Sequence, residues 1–222
     1  KPHNFQRKIC GLFYLYWHLN SNGVIAMSFE MLTALEFFSL VSSITPGPNN
    51  LMLMSSGANF GFKRTTPHLL GVTFGFMLML VLVGLGIMQL FDLFPPSYLI
   101  LKVFCIVYLL YLAFKIATSN AQQKASSESK PFTFIQAALF QWVNPKAWAM
   151  ALSAVSLYAP GKNLTSVLIV SLVFGLINLP CVSSWTLLGE KLQHWLASPK
   201  RLKAFNYLMA ILLIASVMFS LF

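Results

Sequence analysis

With 222 residues, of which 57% are hydrophobic and only 9% charged, the chain lacks the charge to clothe a water-facing surface; soluble domains carry about a quarter charged residues. That balance excludes an ordinary soluble domain and points to an integral membrane protein. The net charge of +10 does not signal nucleic-acid binding, because Lys and Arg are scattered through short segments between apolar runs and form no basic face.

Residues 1–26 form a basic leader with a short aromatic-apolar run from Ile9 to Leu19, too short to span a bilayer. A signal-like segment, a marginal extra helix and a dispensable leader before Met27 are the readings weighed, and the last is preferred. Six apolar runs follow, at 30–56, 67–91, 97–118, 133–158, 163–188 and 203–222. Each reaches the about 20 residues that cross a bilayer as helix. The polar stretch 119–132 divides the chain into two three-helix units, 27–118 and 133–222. Loops one, three and five carry Lys63 and Arg64, then Lys115, Lys124 and Lys130, then Lys191, Lys200, Arg201 and Lys203. Loop two carries no Lys or Arg, and loop four carries Lys162 alone. The positive-inside rule therefore puts the basic loops in the cytoplasm, with the first helix beginning outside.

The first and fourth runs contain breakers. Pro46-Gly47-Pro48 is followed by Asn49 and Asn50, and Gln141 precedes Asn144-Pro145-Lys146. Proline has no N–H and clashes with the carbonyl four residues earlier, so the carbonyls of Ser42, Ile44 and Gln141 are expected to be freed. Freed carbonyls can hold an ammonium group, and N–H groups where a helix restarts can hold a carboxylate. A kink satisfied by neighbouring Ser and Thr is the competing reading of the prolines alone. Lys146 is harder to treat as structural, since a lysine near a helix centre costs about 3 kcal/mol on insertion scales.

The other features read as structural. Gly71 and Gly75 form a G-x-x-x-G suited to close helix packing. Asn178 and Pro180 make a softer break in the fifth run, and Tyr108 and Tyr111 a packed or interfacial stripe. Cys10, Cys105 and Cys181 are dispersed and read as small buried residues, without disulfide, metal site or dithiol centre. His3, His18, His68 and His194 lie near ends or loops and do not cluster with carboxylates, which disfavours an enzyme, a metal or a cofactor. Glu36 is the one candidate intramembrane carboxylate.

At an offset near one hundred residues the units echo each other. Gly61, Thr65, Phe74 and Gly75 recur as Gly161, Thr165, Phe174 and Gly175, and the two breakers also correspond. Three spans per unit force opposite orientations, so the expected fold is an all-α membrane protein of six transmembrane helices. It is a 3+3 inverted repeat with interrupted helices one and four, an architecture that places substrate at the midplane between broken helices.

"SITPGPNNLMLMSSGANFGFKRTTPHLLGVTFGF", "LKVFCIVYLLYLAFKIATS" and "FQWVNPKAWAMALSAVS" together resemble the LysE/RhtB family of bacterial amino-acid exporters. The likeness covers Met27 to Phe222, and "TPGPNN" and "KIATS" are most similar to its cysteine/O-acetylserine branch. The resemblance implies export of a small neutral amino acid, threonine and homoserine included, across the bacterial inner membrane by proton antiport. By motif it points to Pro46, Gly47, Pro48, Asn144, Pro145 and Lys146, and the residue reading adds Asn49, Asn50 and Gln141. The implied partners are a small amino acid, protons and the lipid bilayer, with room for a homo-oligomer. A channel, a non-transporting scaffold and a Lys/Arg exporter are the rivals. The superfamily's thiol-disulfide carriers place cysteines in helices one and four, and those helices hold none here.

Overall fold

A computed structural model describes residues 28–87, 89, 93–94, 96–118, 130–159, 163–193 and 195–221. The leader 1–26, most of the linker 119–132, Gly161 and the cysteine and histidines at 10, 3, 18 and 194 therefore lie outside the described residues. Those residues contain eight α-helices and no strand.

The first predicted span is two helices. Ser28 caps α1 (Phe29–Ile44) by accepting from the Met31 N–H, with Glu30 in the first turn, where the helix dipole favours an acid. The helix stops because Thr45 precedes proline and is held extended (φ −65°, ψ 145°). α2 (Pro48–Phe60) then starts with Pro48 in the first turn, where a missing N–H costs nothing. Gly61, at φ 80°, turns the chain directly into α3 (Phe62–Gly84), a left-handed conformation that suits glycine. α4 (Pro96–Ala117) ends the first half.

The fourth predicted span is divided in the same way. Thr133 and Gln136 form a reciprocal capping box at the start of α5 (Phe134–Phe140). A 3-10 turn, Gln141–Val143, leads to Asn144, which caps α6 (Pro145–Tyr158) with Pro145 again in the first turn. α7 (Leu164–Lys191) runs unbroken through Pro180, so the soft break expected at Asn178 and Pro180 does not interrupt the helix. α8 (Pro199–Leu221) closes the chain.

The halves are interlocked. α7 packs on α1, α2 and α3, while α3 packs on α5 and α6, and α4 pairs with α8. Glycines allow the closest approaches. A Cβ on Gly57 would run into the Thr186 carbonyl of α7, and one on Gly189 into the Met54 carbonyl of α2. Gly71 and Gly75 bring α3 against Phe134 and Ala138 of α5, the packing role their spacing predicted. One core cluster joins Leu35, Phe76 and Met79 to Trp148, Ala151 and Phe174. Another joins Leu51 and Phe140 to Leu109, Leu202 and Phe205. Cys105 and Cys181 are buried free thiols.

Large apolar side chains also cover the outside, among them Phe37, Phe104, Ile135, Leu172 and Leu176. An apolar surface of that extent suits lipid and not water. Phe62–Gly84, Leu99–Ala117 and Leu164–Lys191 are each long and apolar enough to cross a bilayer. The described residues are all-helical, and the chain is a multi-pass membrane protein.

Candidate functional site

The breaks between α1 and α2 and between α5 and α6 face each other, and side chains cross between them. Asn49 and Gln141 exchange amide hydrogen bonds, Nδ2 to Oε1 at 2.8 Å and Nε2 to Oδ1 at 3.2 Å. Gln141 is fully buried and also donates to the Ala137 carbonyl. Asn144, buried, accepts the Lys146 N–H and fixes the first turn of α6. From that turn the half-buried Lys146 crosses to the other break. Its Nζ donates to the Thr45 carbonyl at 2.9 Å, to Thr45 Oγ1 at 2.8 Å and to the Pro46 carbonyl at 3.4 Å. The stem lies against Gly47, where an added Cβ would come within 2.6 Å of Lys146 Cδ.

The carbonyls that the prolines release are not left open, which corrects the expectation that they await a ligand. Pro46 frees the Ser42 carbonyl, and Thr45 Oγ1 donates to it at 3.1 Å. Pro48 frees the Ile44 carbonyl, and the Trp185 indole N–H reaches it at 3.1 Å from α7. Asn50 Nδ2 donates to the Ser43 and Thr45 carbonyls, both at 2.8 Å. At the second break the Gln141 carbonyl accepts the Asn144 N–H at 3.3 Å. Backbone polar groups inside a membrane protein must be satisfied from within, and these carbonyls at the two breaks are.

A narrow cleft of about 20 Å³, room for about one water molecule, lies between the breaks. Gly47, Asn49, Asn50, Asn144 and Lys146 line it, five of the nine residues singled out from the sequence. Gln141 stands behind Asn49, and Pro46, Pro48 and Pro145 shape the backbone without lining the space. Phe76, Ala147 and Met150 supply apolar walls, and Ser42 and Ser43 close one side.

Asn178, read from the sequence as structural, also lines the cleft. It accepts from Thr73 Oγ1 at 3.1 Å and donates to Ser43 Oγ at 3.2 Å, tying α3 and α7 to the end of α1. An amide inside an otherwise apolar helix was the available signal. Trp185 had none, because a tryptophan in a membrane helix is unremarkable until its partner 141 residues away is known. Glu36 is exposed on α1 and does not line the cleft, and His68 is buried on α3 against Phe132, also away from it. Lys146 is the one charged side chain among the described residues that line the cleft.

A family profile described as LysE type translocator matches residues 40–219. Over 190 residues the chain is 29% identical to a protein of Escherichia coli O139:H28 (strain E24377A / ETEC) named cysteine/O-acetylserine efflux protein, covering 85% of this chain and 96% of that one. Proteins of the same name from Escherichia coli (strain K12) and Shigella sonnei (strain Ss046) are 28% identical over the same shares. No solved structure matches.

Proposed function

The chain belongs to the LysE type translocator family, and on that premise we propose that it exports a small neutral amino acid across the inner membrane, of the cysteine/O-acetylserine or threonine/homoserine kind. It is a translocator and not an enzyme. The names of its relatives support the substrate class.

The cleft lined by amides and a single lysine between two helix breaks carries this reading. A zwitterion requires acceptors for its ammonium group and a positive charge for its carboxylate, and the cleft offers Asn49, Asn50, Asn144 and Lys146. Pro46, Gly47, Pro48 and Pro145 set the backbone that brings them together, and Gln141 holds Asn49 in place. A lysine lining the cleft disfavours substrates with a cationic side chain, so a Lys/Arg exporter fits less well.

In this reading 27–118 and 133–222 are inverted three-span repeats joined by the cytoplasmic linker 119–132, with the first 26 residues outside the functional unit. Three features support it. Both halves begin with a helix, a break and a second helix started by proline; α3 of one half leans on α5 and α6, as α7 of the other leans on α1 and α2; and α4 pairs with α8. The two halves rock about the cleft to alternate access, driven by proton antiport, with the basic loops in the cytoplasm.

The test is a proteoliposome screen of labelled cysteine, O-acetylserine, threonine, homoserine, lysine and arginine, with and without a pH gradient. The proposal expects gradient-dependent movement of a neutral member and counterflow, in which substrate on one side accelerates release of labelled substrate from the other. Flux without counterflow indicates a pore, and no flux of any member rejects export.

A further inference from the structure

The ammonium group of Lys146 sits against the C-terminal end of α1, and all three of its partners are uncharged oxygens: the Thr45 carbonyl, Thr45 Oγ1 and the Pro46 carbonyl. A primary ammonium has three N–H donors and no acceptor, so three converging oxygens match its full donor set. The end of a helix carries the negative pole of its dipole and favours a cation there. The peptide between Thr45 and Gly47 is neither helix nor turn, which is what aims two successive carbonyls at one point. Gly47 keeps the approach open, since a side chain there would collide with the lysine stem.

We propose that the Thr45–Pro46 end of α1 is a binding subsite for a primary ammonium, filled here from within by Lys146 and taken over by the α-ammonium of the exported amino acid. Lys146 and Gly47 line the cleft, and Thr45 and Pro46, which precede Gly47 in the chain, are exposed, so the oxygens that hold the lysine are open to an incoming cation. Two ammonium charges at the same three oxygens repel each other at contact distance, so substrate and lysine exclude each other. The displaced Lys146 then swings into the cleft, where its charge meets the substrate's carboxylate. Lys146 and Thr45 lie in opposite halves of the chain, 101 residues apart. Loading therefore breaks a bridge between the halves. An amino acid whose nitrogen is acylated loses its charge and two of its donors, and it does not release the bridge.

The inference deepens the export reading and depends on it only for the identity of the incoming ammonium; the subsite itself is testable without transport. The full chain carrying Lys146→Ala is purified in detergent and melted in ethylammonium chloride, tetramethylammonium chloride or sodium chloride at equal ionic strength. Ethylammonium is expected to raise the melting temperature of the variant in a saturable manner and to leave the wild type unmoved. Tetramethylammonium, which has no N–H, shifts neither. Equal ethylammonium shifts in variant and wild type, or no shift in the variant, overturn the subsite. Thr45→Val in the otherwise native chain gives a second reading should Lys146→Ala fail to fold. Removing one of the three acceptors is expected to raise the rate at which an amine-directed acylating reagent modifies Lys146 several-fold, read by peptide mass spectrometry, and an unchanged rate overturns the proposal. Ethylammonium stabilisation in a protein that moves no amino acid in proteoliposomes rejects export while leaving the subsite standing.

Discussion

Asn50→Ala is expected to be among the most damaging single amide deletions in the chain. Asn50 is buried and its Nδ2 donates to the carbonyls of Ser43 and Thr45, both at 2.8 Å. In Asn50→Ala the Thr45 carbonyl keeps the Lys146 ammonium, whereas the Ser43 carbonyl loses its amide donor inside the bundle. A buried acceptor left unmade costs about 1–3 kcal/mol, and the second lost bond adds about 1 kcal/mol. The expected loss is therefore about 2–4 kcal/mol. The assay is reversible unfolding in mixed micelles titrated with a denaturing detergent and followed by far-ultraviolet circular dichroism. Asn59→Ala serves as the control. Asn59 also donates to a carbonyl, that of Ser55 at 2.7 Å, but this one lies within α2 and faces its own helical donor. Asn59→Ala is expected to stay within about 0.5 kcal/mol of the wild type. If Asn50→Ala costs no more than Asn59→Ala, the reasoning that the freed carbonyls of α1 must be satisfied by side chains is refuted.

Trp185→Phe keeps the ring packing but removes the donor to the Ile44 carbonyl, and a loss of about 1 kcal/mol is expected in the same titration. For Asn49 and Gln141, a double-mutant cycle with alanine is expected to give a coupling energy of about 1–2 kcal/mol, because each amide loses the same reciprocal pair; simple additivity would deny the pair any role in holding the breaks together. Gly57→Ala and Gly189→Ala place a methyl against backbone carbonyls that cannot turn away. Each should destabilise by about 1–3 kcal/mol, although a glycine-to-alanine change in a free helix stabilises by up to about 1 kcal/mol, and a thermal melt gives the sign.

The prolines made the breaks legible in the sequence. Pro48 and Pro145 each begin the second helix of a broken pair, and residues next to them in sequence, Asn49 and Asn144, serve the site. Gly71 and Gly75 likewise declared a close approach by their spacing, though not that α5 would be the partner. The fate of the freed backbone was not legible, because it depends on tertiary neighbours. Trp185 reaches Ile44 across 141 residues, and Lys146 reaches Thr45 across 101. Local rules also misread α7. Pro180 suggested an interruption, but the helix persists, packed mainly against α1, α2 and α3, so Asn178 is a wall of the cleft and not a break.

Efflux measured in inside-out vesicles, with wild type and Lys146→Ala inserted at equal levels, tests most directly that the cleft between the breaks handles the substrate. The account predicts that the variant inserts normally and loses most of its transport of O-acetylserine or of the neutral amino acid that the wild type moves. Transport by the variant at the wild-type rate would contradict it.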